Sequence, residues 1–116
     1  MLDIYVEKGR TMGTRTAVIS ADEVIATLRA HEAELRAAGI RRLSLFGSVA
    51  RGDAEADSDV DLAVEFDPAA RIGLFEPGRL EQRIAGRLGR AVDLVPEPVE
   101  KQRLQHNIDR DRRIGF

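Results

Sequence analysis

The chain has 116 residues, with 18 Lys and Arg against 20 Asp and Glu, and no cysteine. That length suits one domain with a core of its own. The absence of thiols excludes disulfide frameworks, Cys-ligated zinc, iron–sulfur clusters and thiol catalysis together. A net charge of −2 with both signs interspersed, and four Phe, one Tyr and no Trp, provide neither a basic field nor a stacking platform, so no direct nucleic-acid binding is expected. No run approaches the ~18 apolar residues of a membrane span, and Met1-Leu2-Asp3 carries an acid where a signal peptide is basic. The composition reads as a soluble cytoplasmic domain.

Residues 1–19 read as a leader, with at most a short strand over Thr16–Ile19, and residues 20–116 as a single domain. Ser20-Ala21-Asp22-Glu23 has the form of a capping box. Behind it Val24, Ile25, Leu28, His31 and Leu35 recur at helical spacing, and Gly39 is a natural stop. The period then changes: Leu43-Ser44-Leu45-Phe46 is a short strand that ends at Gly47. Ser48–Asp53 has room for little more than one helical turn. Val60, Leu62 and Val64 alternate with Asp59, Asp61 and Ala63 as a second strand, closed by Asp67-Pro68. Pro77 in a first turn, followed by Leu80, Ile84 and Leu88, predicts a helix that stops at Gly89. Ala91–Val95 is a third strand, and a last helix is predicted over roughly Val99–Ile108, with Ile114-Gly115-Phe116 as a tail. The order predicts a small α/β fold in which helices flank one mixed sheet.

The chemistry concentrates in Gly47-Ser48-Val49-Ala50-Arg51-Gly52 and Ser58-Asp59-Val60-Asp61-Leu62. Residues two apart on a strand share a face at a spacing of about 6.8 Å, so Asp59 and Asp61 lie opposite Val60, Leu62 and Val64. Asp93, between Val92 and Leu94, joins them if the two strands are neighbours. Two unit charges ~5 Å apart at an effective dielectric of ~20 repel by about 3 kcal/mol. Such a group either takes up protons or recruits a hard cation, and all-oxygen ligation selects Mg²⁺ or Mn²⁺. Two such ions can clamp the attacking and leaving oxygens of a phosphoryl displacement. Gly47 permits close backbone approach, and Ser48 offers a hydroxyl and a helix N-cap, where free N–H groups bind phosphate. Arg51, three residues on, shares the Ser48 face of the short helix and is placed to bind phosphate bidentately. A Gly-Ser turn alone is ordinary capping, and Asp-x-Asp alone is an ordinary solvated edge. Together, with ten residues between Gly47-Ser48 and Asp59, they point to a metal and triphosphate site.

This pattern resembles the nucleotidyltransferase superfamily of DNA polymerase beta. The stretches GSVARGDAEADSDVDLAVEF and LGRAVDLV are similar to its minimal nucleotidyltransferase (MNT) proteins, with the resemblance covering about residues 21–116. It departs at Pro77-Gly78, where such proteins more often continue a helix, so that helix is expected to start late. The resemblance implies the polymerase beta-like fold, with Asp59, Asp61 and Asp93 as catalytic metal carboxylates and Gly47 and Ser48 on the nucleotide's phosphates; Arg51 joins them on its position. It also implies a partner, because many MNT proteins are antitoxins that move AMP from ATP to a tyrosine of a HEPN-domain RNase toxin.

The expected activity is therefore Mg²⁺-dependent transfer of AMP from ATP to a hydroxyl of a partner HEPN toxin. The rivals are an antitoxin that masks its toxin without turnover, and a nucleotidyltransferase acting on a small molecule such as an aminoglycoside. Other features read as structural. His31 is expected in the core and His106 on the surface, Arg110, Arg112 and Arg113 read as a solvated helix end, and Tyr5 lies in the leader.

Overall fold

The computed structural model describes residues 18–116. Of the strand expected over Thr16–Ile19, Thr16 and Ala17 lie outside them, as does Tyr5, and Val18 and Ile19 are not in a strand. Helix α1 (Ala21–Ala30) opens with the predicted box: Glu23 N–H donates to Ser20 Oγ at 3.1 Å and Ser20 N–H to Glu23 Oε1 at 2.9 Å. The helix expected to run on through Leu35 is two. His31 N–H is shared between the carbonyls of Thr27 (3.3 Å) and Leu28 (3.1 Å), a tightened last turn, and α2 (Glu32–Ala37) follows. His31 therefore sits half-buried at a junction, with Nδ1 3.4 Å from Glu34 Oε1, rather than in the core.

Strand β1 (Ile40–Phe46) leads into α3 (Gly47–Arg51), and β2 (Val60–Phe66) follows. Helix α4 (Glu76–Leu88) carries Pro77 in its first turn and ends on Gly89 in the left-handed conformation, φ 68°. Strand β3 spans Val92–Pro96 and α5 spans Gln102–Asp111. The last helix thus starts three residues later than the predicted Val99. Val99 instead packs against the Phe46–Ala63–Ile108 cluster and donates its N–H to Gln105 Oε1 at 3.0 Å. The predicted tail contains β4 (Arg113–Ile114), which pairs antiparallel with β1.

The sheet order is β3-β2-β1-β4, with β1 antiparallel to β2 and to β4, and β2 parallel to β3. It is the mixed sheet the alternation implied. One face is the main core, where Leu43, Leu45, Val60, Leu62, Val64, Val92 and Leu94 meet Val24 and Leu28 of α1, Leu35 of α2 and Leu80 and Ile84 of α4. The other face carries the intervening residues, and α5 covers part of it through Ile108 and Leu104. Among the described residues no helix is long and apolar enough to cross a membrane.

In the basic run at the end of α5, Arg110 and Arg113 are exposed as a solvated helix end would have them, but Arg112 is not. Arg112 is 14% exposed; it donates to Glu97 at 3.0 and 2.5 Å, to Ser44 Oγ at 2.9 Å and to Asp109 at 3.2 Å. Arg110 holds Asp111, and Arg113 reaches Asp22 at 3.0 Å.

Candidate functional site

The parallel pairing of β2 with β3 sets Asp61 directly opposite Asp93. Alternation places both on the face shared by Ala63 and Val95, away from the main core. Asp59 lies just before β2 and is exposed, as is Asp93 on the edge strand, whereas Asp61 is half-buried. Burial first, then the charges of Asp93 and Asp59, push the Asp61 carboxyl above its usual range, with the Arg51 charge acting the other way. The three acids are thus electrostatic neighbours, as the spacing implied. Among the described residues, however, no three acid, imidazole or thiol side chains close into a ready-made cation cage.

The antiparallel pairing of β1 with β2 sets Phe46 opposite Asp61, so the residue after it, Gly47, falls against the carboxylate. Gly47 is required there twice. Its φ is +78°, and a Cβ would overlap Asp61 Oδ2 deep inside contact distance. This contact is what joins the Gly-Ser turn to the acids. Ser48 is placed differently from the N-cap that its sequence position suggests. The cap of α3 is the extended backbone of Phe46, with no side-chain cap hydrogen bond, and Ser48 is the second residue of the helix. Its carbonyl accepts from Gly52 and Asp53 N–H, both at 3.0 Å.

Arg51 belongs to the same short helix but is engaged. Its Nη1 donates to Asp111 at 2.8 Å, and its Nε and Nη2 face Asp53 at 3.1 and 3.4 Å. Asp111 is the residue that sequence reasoning missed. It had a signal: Leu104, Ile108 and Asp111 fall at helical spacing on one stripe, so a carboxylate continues an apolar face. As to fit for a metal, the donors are all carboxylate oxygen, and Asp61 is held protonation-prone by burial and then by two like charges, which a hard divalent cation would offset. The residues fit such an ion, with Asp59, Asp61 and Asp93 as the candidates to hold it.

A polymerase beta nucleotidyltransferase domain profile matches residues 24–114. Protein adenylyltransferase MntA of Thermococcus cleftensis is 40% identical over 80 residues, spanning 68% of this chain and 79% of that protein. A solved protein assigned as a minimal nucleotidyltransferase superposes with a TM-score of 0.68 at 33% identity, over 84% of this chain and 97% of its own. A chain in the complex of tri-AMPylated Shewanella oneidensis HEPN toxin with MNT antitoxin shares the fold, with a TM-score of 0.57 at 21% identity over 79% of this chain and 71% of that one. The profile match runs from the first helix into the last strand, and so takes in every element that sets Asp61 against Asp93 and Gly47; this chain belongs to the polymerase beta nucleotidyltransferase family of enzymes, in its minimal nucleotidyltransferase branch.

Proposed function

We propose that this enzyme is a Mg²⁺-dependent protein adenylyltransferase that moves AMP from ATP to a tyrosine hydroxyl of a partner HEPN toxin, and that it acts in the cytoplasm as the antitoxin. The observation that carries the reading is Asp61 opposite Asp93 with Gly47 against the Asp61 carboxylate. Donor and acceptor are supported by the relatives: the T. cleftensis protein is a protein adenylyltransferase, and in the S. oneidensis complex an AMP-bearing HEPN toxin is bound to an MNT antitoxin.

One or two Mg²⁺ ions, for which Mn²⁺ can substitute, supply positive charge to the α-phosphate and the departing pyrophosphate when bound. Asp59, Asp61 and Asp93 would hold such ions, since Mg²⁺ needs no all-protein cage. Gly47 lets the backbone approach the phosphates, and the Ser48 hydroxyl, the first-turn N–H groups of α3 and Arg51 bind them. Asp93, exposed on the edge strand, takes the proton of the acceptor hydroxyl as its oxygen bonds to the α-phosphorus and the bond to pyrophosphate breaks. A core of this size has few elements with which to enclose a small acceptor, so the hydroxyl arrives on a macromolecule that brings its own docking surface. A net charge of −2 favours protein over RNA.

The test is mass spectrometry of the co-expressed pair. Added AMP on a toxin tyrosine is expected with the wild-type chain and is absent with Asp59→Asn/Asp61→Asn. A toxin that is inhibited yet unlabelled would replace catalysis with masking. Labelling of a small molecule or an RNA end instead would overturn the antitoxin reading.

A further inference from the structure

The two edges of the Arg51 guanidinium meet two unlike carboxylates. Nη1 donates to Asp111, whose side chain is 3% exposed and which Arg110 also grips, at 2.9 Å from Nε and 3.2 Å from Nη2. The other edge, Nε with Nη2, faces Asp53, whose side chain is 61% exposed. That edge is the planar fork that matches two oxygens of a carboxylate or a phosphate. Asp53 is tied to the phosphate turn by its own backbone, since its N–H donates to the Ser48 carbonyl at 3.0 Å. A carboxylate therefore occupies the phosphate-matching edge of Arg51 beside Gly47-Ser48.

The two contacts differ in permanence for a physical reason. A carboxylate buried as deeply as Asp111 is costly without a cation, so its hold on Arg51 persists. The exposed pair to Asp53 is worth little and is readily exchanged for another anion. Arg110 and Arg51 hold the Asp111 carboxyl below its usual range, and Asp53 and Asp111 in turn raise that of the Arg51 guanidinium.

We propose that Asp111 is a positioning residue for nucleotide binding: it fixes Arg51 from behind, while Asp53 stands in for a phosphate on the opposite edge of the guanidinium and is displaced when the triphosphate arrives. This rests on the reading of Arg51 as a triphosphate contact.

Calorimetry of ATP binding with Mg²⁺ tests it. Asp111→Asn should raise the Kd for ATP about tenfold, the scale of one weakened charge-assisted hydrogen bond. Asp53→Ala should lower it about threefold, because an exposed competitor is removed. Arg110→Ala, which removes the other grip on Asp111, should stay within about twofold. In an Arg51→Ala background the Asp111→Asn effect should vanish. An Asp111→Asn effect that persists without Arg51 marks Asp111 as merely structural and overturns the proposal, as does wild-type affinity in Asp111→Asn. If Asp111→Asn fails to fold, Asp53→Ala decides: unchanged or weaker binding sinks the displacement. If Arg51→Ala alone leaves ATP affinity intact, the placement of Arg51 on the triphosphate is what fails. If the wild-type chain binds no ATP, the nucleotidyltransfer reading falls, and this proposal with it.

Discussion

Gly47 and Asp61 share a volume that admits one side chain. Alanine at position 47 would have to hold φ near +78° and place a methyl into the Asp61 carboxylate. The left-handed backbone costs about 1–2 kcal/mol, and the overlap adds about 1–3 kcal/mol unless Asp61 moves. Gly47→Ala should therefore lower stability by at least about 1 kcal/mol in urea titration and reduce AMP transfer by more than that loss explains, because the side chain that must yield is an acid of the proposed site. Asp61 carries the opposite tension. Burial and the neighbouring charges of Asp93 and Asp59 raise its folded-state pKa above the unfolded one, so it favours folding below the unfolded pKa and loses that contribution as pH rises through the folded value. Asp61→Asn should accordingly melt higher than wild type at neutral pH in metal-free buffer, with the gain shrinking as pH falls into the carboxylate range. A melting temperature below wild type at neutral pH, with native secondary structure, would contradict this.

At the scale of elements, α5 is attached by its charged end as well as by its apolar stripe. Arg112 bridges β1 at Ser44 to the end of β3 at Glu97, whose side chain is 6% exposed. Burial alone would raise the Glu97 carboxyl, but hydrogen bonds from Arg112 and Gln105 prevail and hold it below its usual range. Arg112→Ala strands that carboxylate and should cost about 3–5 kcal/mol of unfolding free energy at neutral pH. The difference from wild type should narrow in acid, where Glu97 protonates in both proteins and the wild-type pair is lost as pH falls through its lowered pKa. A loss that is independent of pH would mean that the packing of the Arg112 stem, not its charge, secures the helix. Nothing near Arg112 in the chain announces this role. A run of alternating Arg and Asp at a helix end looks solvated, and the two partners that Arg112 bridges, Glu97 and Ser44, lie 15 and 68 residues away. The capping box at Ser20, the Pro77 start and the Gly89 stop were legible because each is settled within one helical turn. The break at His31 and the late start of α5 were not, since each is decided by backbone sharing or by packing against a distant cluster.

Over the whole molecule, the candidate site was readable where alternation alone assigns a face. Asp61 and Asp93 declared themselves as acids set between apolar residues, with Asp59 two positions ahead of Asp61, and only the adjacency of the two strands had to be assumed. That adjacency, the closeness of Gly47 to Asp61, and Asp111 behind Arg51 are products of tertiary pairing, which no local spacing encodes. The last residues close the assembly: Leu43 exchanges backbone hydrogen bonds with Gly115 (2.9 Å) and Phe116 (3.1 Å), and Arg29 Nε donates to the Gly115 carbonyl at 2.8 Å. This attachment imposes an order on biosynthesis. At about 5–20 residues per second, roughly one to four seconds of translation separate Asp93 from Asp111. During that interval β1 lacks its β4 neighbour, and α3 carries an arginine with nothing behind it. A nascent chain paused short of Asp111 therefore already holds Asp59, Asp61 and Asp93 but not yet the buried carboxylate that pairs with Arg51.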